Sequence, residues 1–192
     1  MSWKDHLKKM EFAKNWDAAI QFMQGAISED PNIIDKYLFI NYLLINLLVE
    51  EEYDKSKQKY YKTLAKWYFD EAYSKFCENA EFLYLTAKTA VMSEWFFGIT
   101  DDDYRRMLEK AHDIEPQNPL YQESCFYDLE SKNPESDELI SYAKMVLSVN
   151  SPIKKQLSNK GALGEYIMEL QQGWAQDVLK VADRLKRQKN QN

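Results

Sequence analysis

Apolar residues near the N-terminus recur at helical spacing in two short stretches. The positions that carry this spacing are Trp3, Leu7, Met10, Ala19, Phe22 and Ala26. A polar turn over 14–15 separates the two stretches, and Pro31 ends the second because the residue before a proline is disfavoured in the helical region. The pattern predicts two short helices, over about 2–13 and 16–28.

The next segment, 33–49, is apolar nearly all round, and a helix of that kind is normally covered on several sides. Helical spacing then continues with few interruptions to the C-terminus. The further predicted helices are 50–77, with a break near Asp70 as an open alternative, then 79–97, 100–115, 119–132, 136–147 and 161–188. Gly98 is expected to end the helix over 79–97, and Asn79 to cap its start.

The last predicted helix, 161–188, has one apolar stripe along its whole length. Such a stripe suits a helix that covers the exposed apolar face of the last unit in a helical array. The same helix contains Gly164 and Gly173. Each glycine is expected to lower the intrinsic stability of this helix by about 1 kcal/mol relative to alanine.

The N-terminal pair of helices resembles a tetratricopeptide repeat, a helical hairpin of about 34 residues. The family's order of small, aromatic and closing residues is matched by Trp3, Leu7, Met10, Ala19, Ala26 and Pro31, within 1–31. A second, looser match over 79–116 has Gly98 near the expected turn and ends with Leu108, Ala111, Ile114, Glu115 and Pro116.

This resemblance implies an all-α fold of stacked antiparallel hairpins, a tetratricopeptide-like α-solenoid, with 161–188 as a long C-terminal capping helix and 1–192 as a single domain. In the family, partners commonly lie in a concave groove lined by the first helix of each hairpin. By register, the groove candidates in this chain are Lys4, Lys8, Phe12, Asp35, Tyr42, Thr89, Ser93, Glu123 and Tyr127.

Composition and charge narrow the classes of partner. Of 192 residues, 45 % are apolar and 29 % charged, which is typical of a folded protein. The net charge of −6 disfavours nucleic acid as a general partner and favours a basic protein.

The N-terminus lacks the apolar core of a signal peptide, and the longest apolar stretch, 37–49, is too short to span a bilayer. A cytoplasmic location without membrane contact is therefore predicted.

Catalytic chemistry has no recognisable signature in the chain. His6 and His112 are the only histidines, and Cys77 and Cys125 are isolated cysteines, predicted to be buried reduced thiols. Glycine-rich phosphate loops, nucleophile elbows and metalloprotease motifs do not occur in the sequence. We therefore expect a protein that is not an enzyme and needs neither cofactor nor metal.

A stripe of lysines within 50–77 has two possible interpretations. Lys55, Lys59, Lys62 and Lys66 share one flank of the predicted helix and alternate with Tyr60, Tyr61 and Trp67. The stripe suits a surface for nucleic acid or an acidic protein. It also suits a solvated helix flank.

Together these observations predict a non-enzymatic module that binds a specific protein. A toxin-neutralising immunity protein or a dedicated chaperone, with a basic toxin or secreted client as partner, is one form of this hypothesis. The alternatives are an adaptor or regulator in a larger assembly and, less favoured, a nucleic-acid-binding protein.

Overall fold

The computed structural model describes residues 3–91 and 93–189, with the backbone alone over 127–129. Every regular element in these ranges is helical, so the all-α prediction is confirmed. The sequence predicted one domain over 1–192, and the chain forms two compact units, Met1–Ile114 and Glu115–Asn192.

The first unit is built around one apolar helix. Its helices are α1 Trp3–Phe12, α2 Trp16–Glu29, α3 Ile34–Val49, α4 Gln58–Phe76, α5 Ala80–Ala90, α6 Glu94–Phe97 and α7 Asp101–Ile114. α3 packs against α2, α4 and α5, which explains why its residues are apolar on nearly every side. Further contacts join α1 to α2, α5 to α7 and α4 to α6.

The start of α4 lies later than the sequence predicted. Residues 50–54 are not helical, and a 3-10 turn over Lys55–Lys57 precedes the helix. Asp54 begins this turn, because its side chain accepts a hydrogen bond of 2.9 Å from the backbone N–H of Ser56. From Gln58 to Phe76 α4 is continuous, so the alternative of a break near Asp70 is wrong.

The helix predicted over 79–97 is two helices. Asn79 caps α5 as expected, with its side chain accepting from the backbone N–H of Phe82 at 2.9 Å. The chain turns after Ala90 and resumes as α6, whose Phe97 is fully buried with its ring stacked 4.9 Å from that of Phe69. Gly98 ends α6 at a left-handed φ of 70°, as the sequence predicted.

The second unit carries one long helix and several short ones. A 3-10 turn, Gln122–Phe126, leads into α8 Tyr127–Lys132, and α9 Asp137–Leu147, α10 Pro152–Leu157 and α11 Gly161–Lys189 follow. The prediction of a helix over all of 119–132 is therefore wrong in its first half, and α10 was not predicted. α11 matches the predicted long helix and packs along α9 and α10.

Candidate functional site

Two of the residues predicted to line a tetratricopeptide-type groove lie against each other between α1 and α3. Lys4 Nζ lies 2.5 Å from Asp35 Oδ2, and both side chains are about three-quarters buried. The Lys4 ammonium is also 5.3 Å from the centre of the Phe39 ring. This ion pair joins the first turn of α1 to the first turn of α3.

Lys8 and Phe12 lie further along α1. The Phe12 side chain is 93 % exposed. Together with Asp5 and Lys9 these residues line an open surface pocket of about 510 Å³. Tyr42 is half-buried on α3.

The remaining groove candidates do not share this surface. Thr89 and Ser93 are buried, and the Thr89 hydroxyl donates to the carbonyl of Leu85 at 2.9 Å. In the second unit Glu123 is buried and accepts a hydrogen bond of 2.7 Å from Gln171 Nε2. The side chain of Tyr127 lies outside the described residues.

A wider concavity, which we call the α4–α6 groove, lies between α4 and α6 in the first unit. Its volume is about 770 Å³. Its lining consists of Gln58, Lys59, Lys62, Thr63, Lys66, Trp67, Asp70, Trp95, Phe96 and Gly98.

Two exposed tryptophans line this groove. Trp67 on α4 is 53 % exposed and Trp95 on α6 is 60 % exposed. Trp95 also contacts Phe96, with ring centres 5.4 Å apart. Large aromatic side chains left in solvent in one concavity are typical of a binding surface.

The lysines of the groove differ in how their charges are satisfied. Lys66 Nζ lies 2.5 Å from Asp70 Oδ1, and its stem packs so closely on Gly98 that a Cβ there would be 2.8 Å from Lys66 Cε. Lys62 extends over the Phe96 ring at 5.1 Å. Among the described residues, no carboxylate pairs with Lys59 or Lys62.

The sequence indicated the α4 side of this groove but not the α6 side. The lysine stripe and Trp67 were recognisable from helical spacing on one element. Tyr61 of the same stripe is buried, and Lys55 lies over the Tyr53 ring at 4.0 Å. Trp95 and Phe96 were missed as groove residues because only the turn after α5 brings them to α4, although three consecutive aromatics directly before Gly98 were a usable signal.

A buried tyrosine anchors the start of α4 beside the groove. Tyr61 Oη donates a hydrogen bond of 2.8 Å to Asp17 Oδ1 on α2, and Lys57 forms an ion pair with the same carboxylate. Burial raises the pKa of Tyr61, which therefore remains a donor across the ordinary pH range. The hydrogen bond from Lys57, followed by that from Tyr61, lowers the pKa of Asp17.

Replacing Tyr61 by phenylalanine is expected to lower the free energy of unfolding at pH 7 by about 1 kcal/mol, since one hydrogen bond to a partly exposed carboxylate is lost. Because the folded state lowers the pKa of Asp17, its contribution is present above about pH 4 and is lost as the pH falls through the folded value. Urea unfolding at pH 7 and at several values below about pH 4 should show a weaker acid dependence in the variant.

Tyr60→Phe is the matched control, because the neighbouring Tyr60 is 50 % exposed and should tolerate the loss of its hydroxyl. Equal pH dependence in Tyr61→Phe and the unmodified chain would contradict the assigned role of the Asp17 hydrogen bond.

A third cavity, of about 390 Å³, lies between α4, α5 and α7. Its cations are already paired: Arg106 with Asp103 and Lys110 with Glu78, each at 2.5 Å. It therefore offers less unsatisfied charge to a ligand than the α4–α6 groove.

The described ranges contain neither a cluster that could hold a metal ion nor a helix that could span a membrane. Within them, His, Cys, Asp and Glu side chains do not gather in threes that could hold a metal ion. None of the helices in the described residues is long and apolar enough to cross a bilayer.

Comparisons with known protein families, curated proteins and solved structures found no match to this chain.

Proposed function

We propose that this chain is a non-enzymatic module that binds a specific protein partner. The observation that carries the proposal is the α4–α6 groove, in which Trp67 and Trp95 are more than half exposed beside Lys59 and Lys62, two lysines without an ionic partner in the described part of the chain. Tryptophan is among the residues that most often dominate protein–protein binding energy, particularly when it enters a desolvated pocket. A partner side chain in this groove would remove both rings from water.

The architecture that we propose for the first unit is a short tetratricopeptide-like array. The pairs α1–α2, α3–α4 and α5–α7 would be its three hairpins, with α6 as an insertion in the third. Packing within these pairs, and of α3 against α2 and α5, supports this arrangement. In such an array the ion pair between Lys4 and Asp35 would join the first helices of two successive hairpins.

Within the protein-binding class, the form that we favour is a cytoplasmic neutraliser of a toxin or a dedicated chaperone. The net charge of −6 supports a partner that is basic overall, because complementary fields speed association and disfavour wrong partners. An adaptor or regulator within a larger assembly is the alternative. A dedicated neutraliser predicts one tight complex, whereas an adaptor predicts several weaker ones.

The experiment for this proposal is affinity capture of the full chain from cells of its source, followed by reconstitution with the purified partner. We expect one protein in stoichiometric amount, and a complex with that protein by calorimetry. Recovery of several substoichiometric proteins would favour an adaptor. Failure to recover or reconstitute any protein complex would overturn the proposal.

Nucleic-acid binding is a second candidate, supported by the lysines and aromatic rings on α4. It predicts RNA or DNA binding that weakens steeply as the salt concentration rises. A titration of the full chain with single-stranded oligonucleotides at several salt concentrations tests it. Absence of salt-dependent binding would eliminate this candidate.

A further inference from the structure

The α4–α6 groove is a local positive region on an acidic protein. Residues 55–69 contain five lysines and no aspartate or glutamate, whereas the whole chain carries a net charge of −6. Within this stretch Lys57 pairs with Asp17 and Lys66 pairs with Asp70. The charges of Lys59 and Lys62 remain for a ligand, and both residues line the groove.

Apolar surface lies directly beside these charges. Lys62 Nζ is 5.1 Å from the centre of the Phe96 ring, and the groove also contains the exposed rings of Trp67 and Trp95. A ligand that fits must therefore present negative charge and large apolar groups within a few residues of each other.

We infer that the α4–α6 groove binds an acidic segment of a protein partner, with carboxylates that pair with Lys59 and Lys62 and an aromatic or large aliphatic side chain that packs between Trp67 and Trp95. This inference rests on the proposed function and names the chemistry of the segment that enters the groove. It is independent of the overall charge of the partner, since a basic protein can carry a short acidic segment.

The distribution of charge favours a peptide over a nucleic acid. A single strand carries a phosphate at every nucleotide, and its affinity depends on a track of cations along the backbone. Among the residues that the structure describes, two lysines of the groove lack an ionic partner, and Asp70 is also part of its lining. A peptide can place two carboxylates at those lysines and leave its other positions uncharged.

The test is a selection of displayed random peptides of about 12 residues on the immobilised full chain. Enriched peptides, synthesised with a fluorescent label, are then measured by anisotropy. We expect enrichment of aspartate or glutamate together with tryptophan, phenylalanine or leucine. The variants Lys59→Glu with Lys62→Glu, and Trp67→Ala with Trp95→Ala, should each weaken binding by about tenfold or more.

Matched controls separate the groove from general effects of charge and apolar surface. Lys154→Glu with Lys155→Glu makes the same charge change at exposed lysines of the second unit, and Val149→Ala removes apolar surface from a side chain of that unit that is 87 % exposed. Both controls should bind the selected peptides within about twofold of the unmodified chain, as residues outside a binding surface do. Circular dichroism of every variant should show unchanged helix content.

Selection of basic or uncharged peptides, or no enrichment at all, would overturn the inference, as would equal loss of binding in the control variants. So would an oligouridylate probe that binds the groove while selected peptides do not. If a protein captured in the preceding experiment binds the groove variants as tightly as the unmodified chain, the proposed function stands and this inference fails. If no protein is captured, the proposed function itself fails.

Discussion

Replacing Phe82 by alanine is expected to lower the free energy of unfolding of the first unit by about 3–5 kcal/mol. Phe82 is fully buried near the start of α5, with its ring centre 5.9 Å from that of Phe76 and 6.5 Å from that of Tyr73. Truncation removes this apolar surface and leaves a cavity beside the rings at the C-terminal end of α4. Urea unfolding followed by circular dichroism should show a lower midpoint.

Phe12→Ala is the control for this prediction, because it makes the same chemical change at a side chain that is 93 % exposed. Its free energy of unfolding should remain within about 0.5 kcal/mol of the unmodified value. A similar small loss in both variants would mean that Phe82 does not occupy the interior.

The second large effect is expected at the junction of α10 and α11. A Cβ on Gly164 would lie 2.1 Å from the backbone carbonyl oxygen of Leu157 and 3.0 Å from Lys160 Cβ. Neither atom can move without displacing the backbone or a buried side chain, and Gly164→Ala should therefore cost about 2–3 kcal/mol, as overpacked sites do. Thermal and urea unfolding of the full chain would measure this loss.

Gly173 provides the control, since it lies in the same helix and a Cβ there would meet no atom within 4 Å. Gly173→Ala should stabilise α11 by about 0.5–1 kcal/mol through its higher helix propensity. Opposite signs for the two substitutions are the expected result. Stabilisation by Gly164→Ala would show that α11 does not approach α10 as closely as the structure has it.

These two glycines show which effects on stability can be predicted from the sequence and which depend on tertiary contacts. From the sequence alone both were expected to destabilise the last helix equally relative to alanine. Helix propensity is a local property of each residue, and the expectation based on it applies at Gly173, where a Cβ would meet no neighbouring atom. At Gly164 the carbonyl of Leu157, seven positions earlier, decides the sign instead.

The helices themselves were largely predictable. The caps at Asn79 and Gly98 were recognised, and the apolar helix over 34–49 was correctly expected to be covered on several sides. The errors lie at boundaries: the late start of α4, the turn after Ala90 and the 3-10 turn before α8. Each depends on a local turn, or on a contact such as that of Phe97 with Phe69, that periodicity does not report.

The candidate site was less predictable than the fold. Register placed Lys4 and Asp35 on one surface, and the structure joins them. The same register named Thr89, which is buried and bonded to its own helix. Small polar residues in helices can face solvent or bond the preceding turn, and their sequence spacing is the same in both cases. The tetratricopeptide resemblance and the partner remain predictions.

By itself the order of apolar and polar residues determined that this chain is helical, which helix is central and where a lysine stripe runs, because helical periodicity is a property of neighbouring residues. Only the tertiary structure decided which of those lysines pair with a carboxylate and which aromatic rings stay in solvent. Contacts such as that between Lys57 and Asp17 join residues 40 positions apart, and Trp95 lies beside α4 only after the chain has folded back after α5.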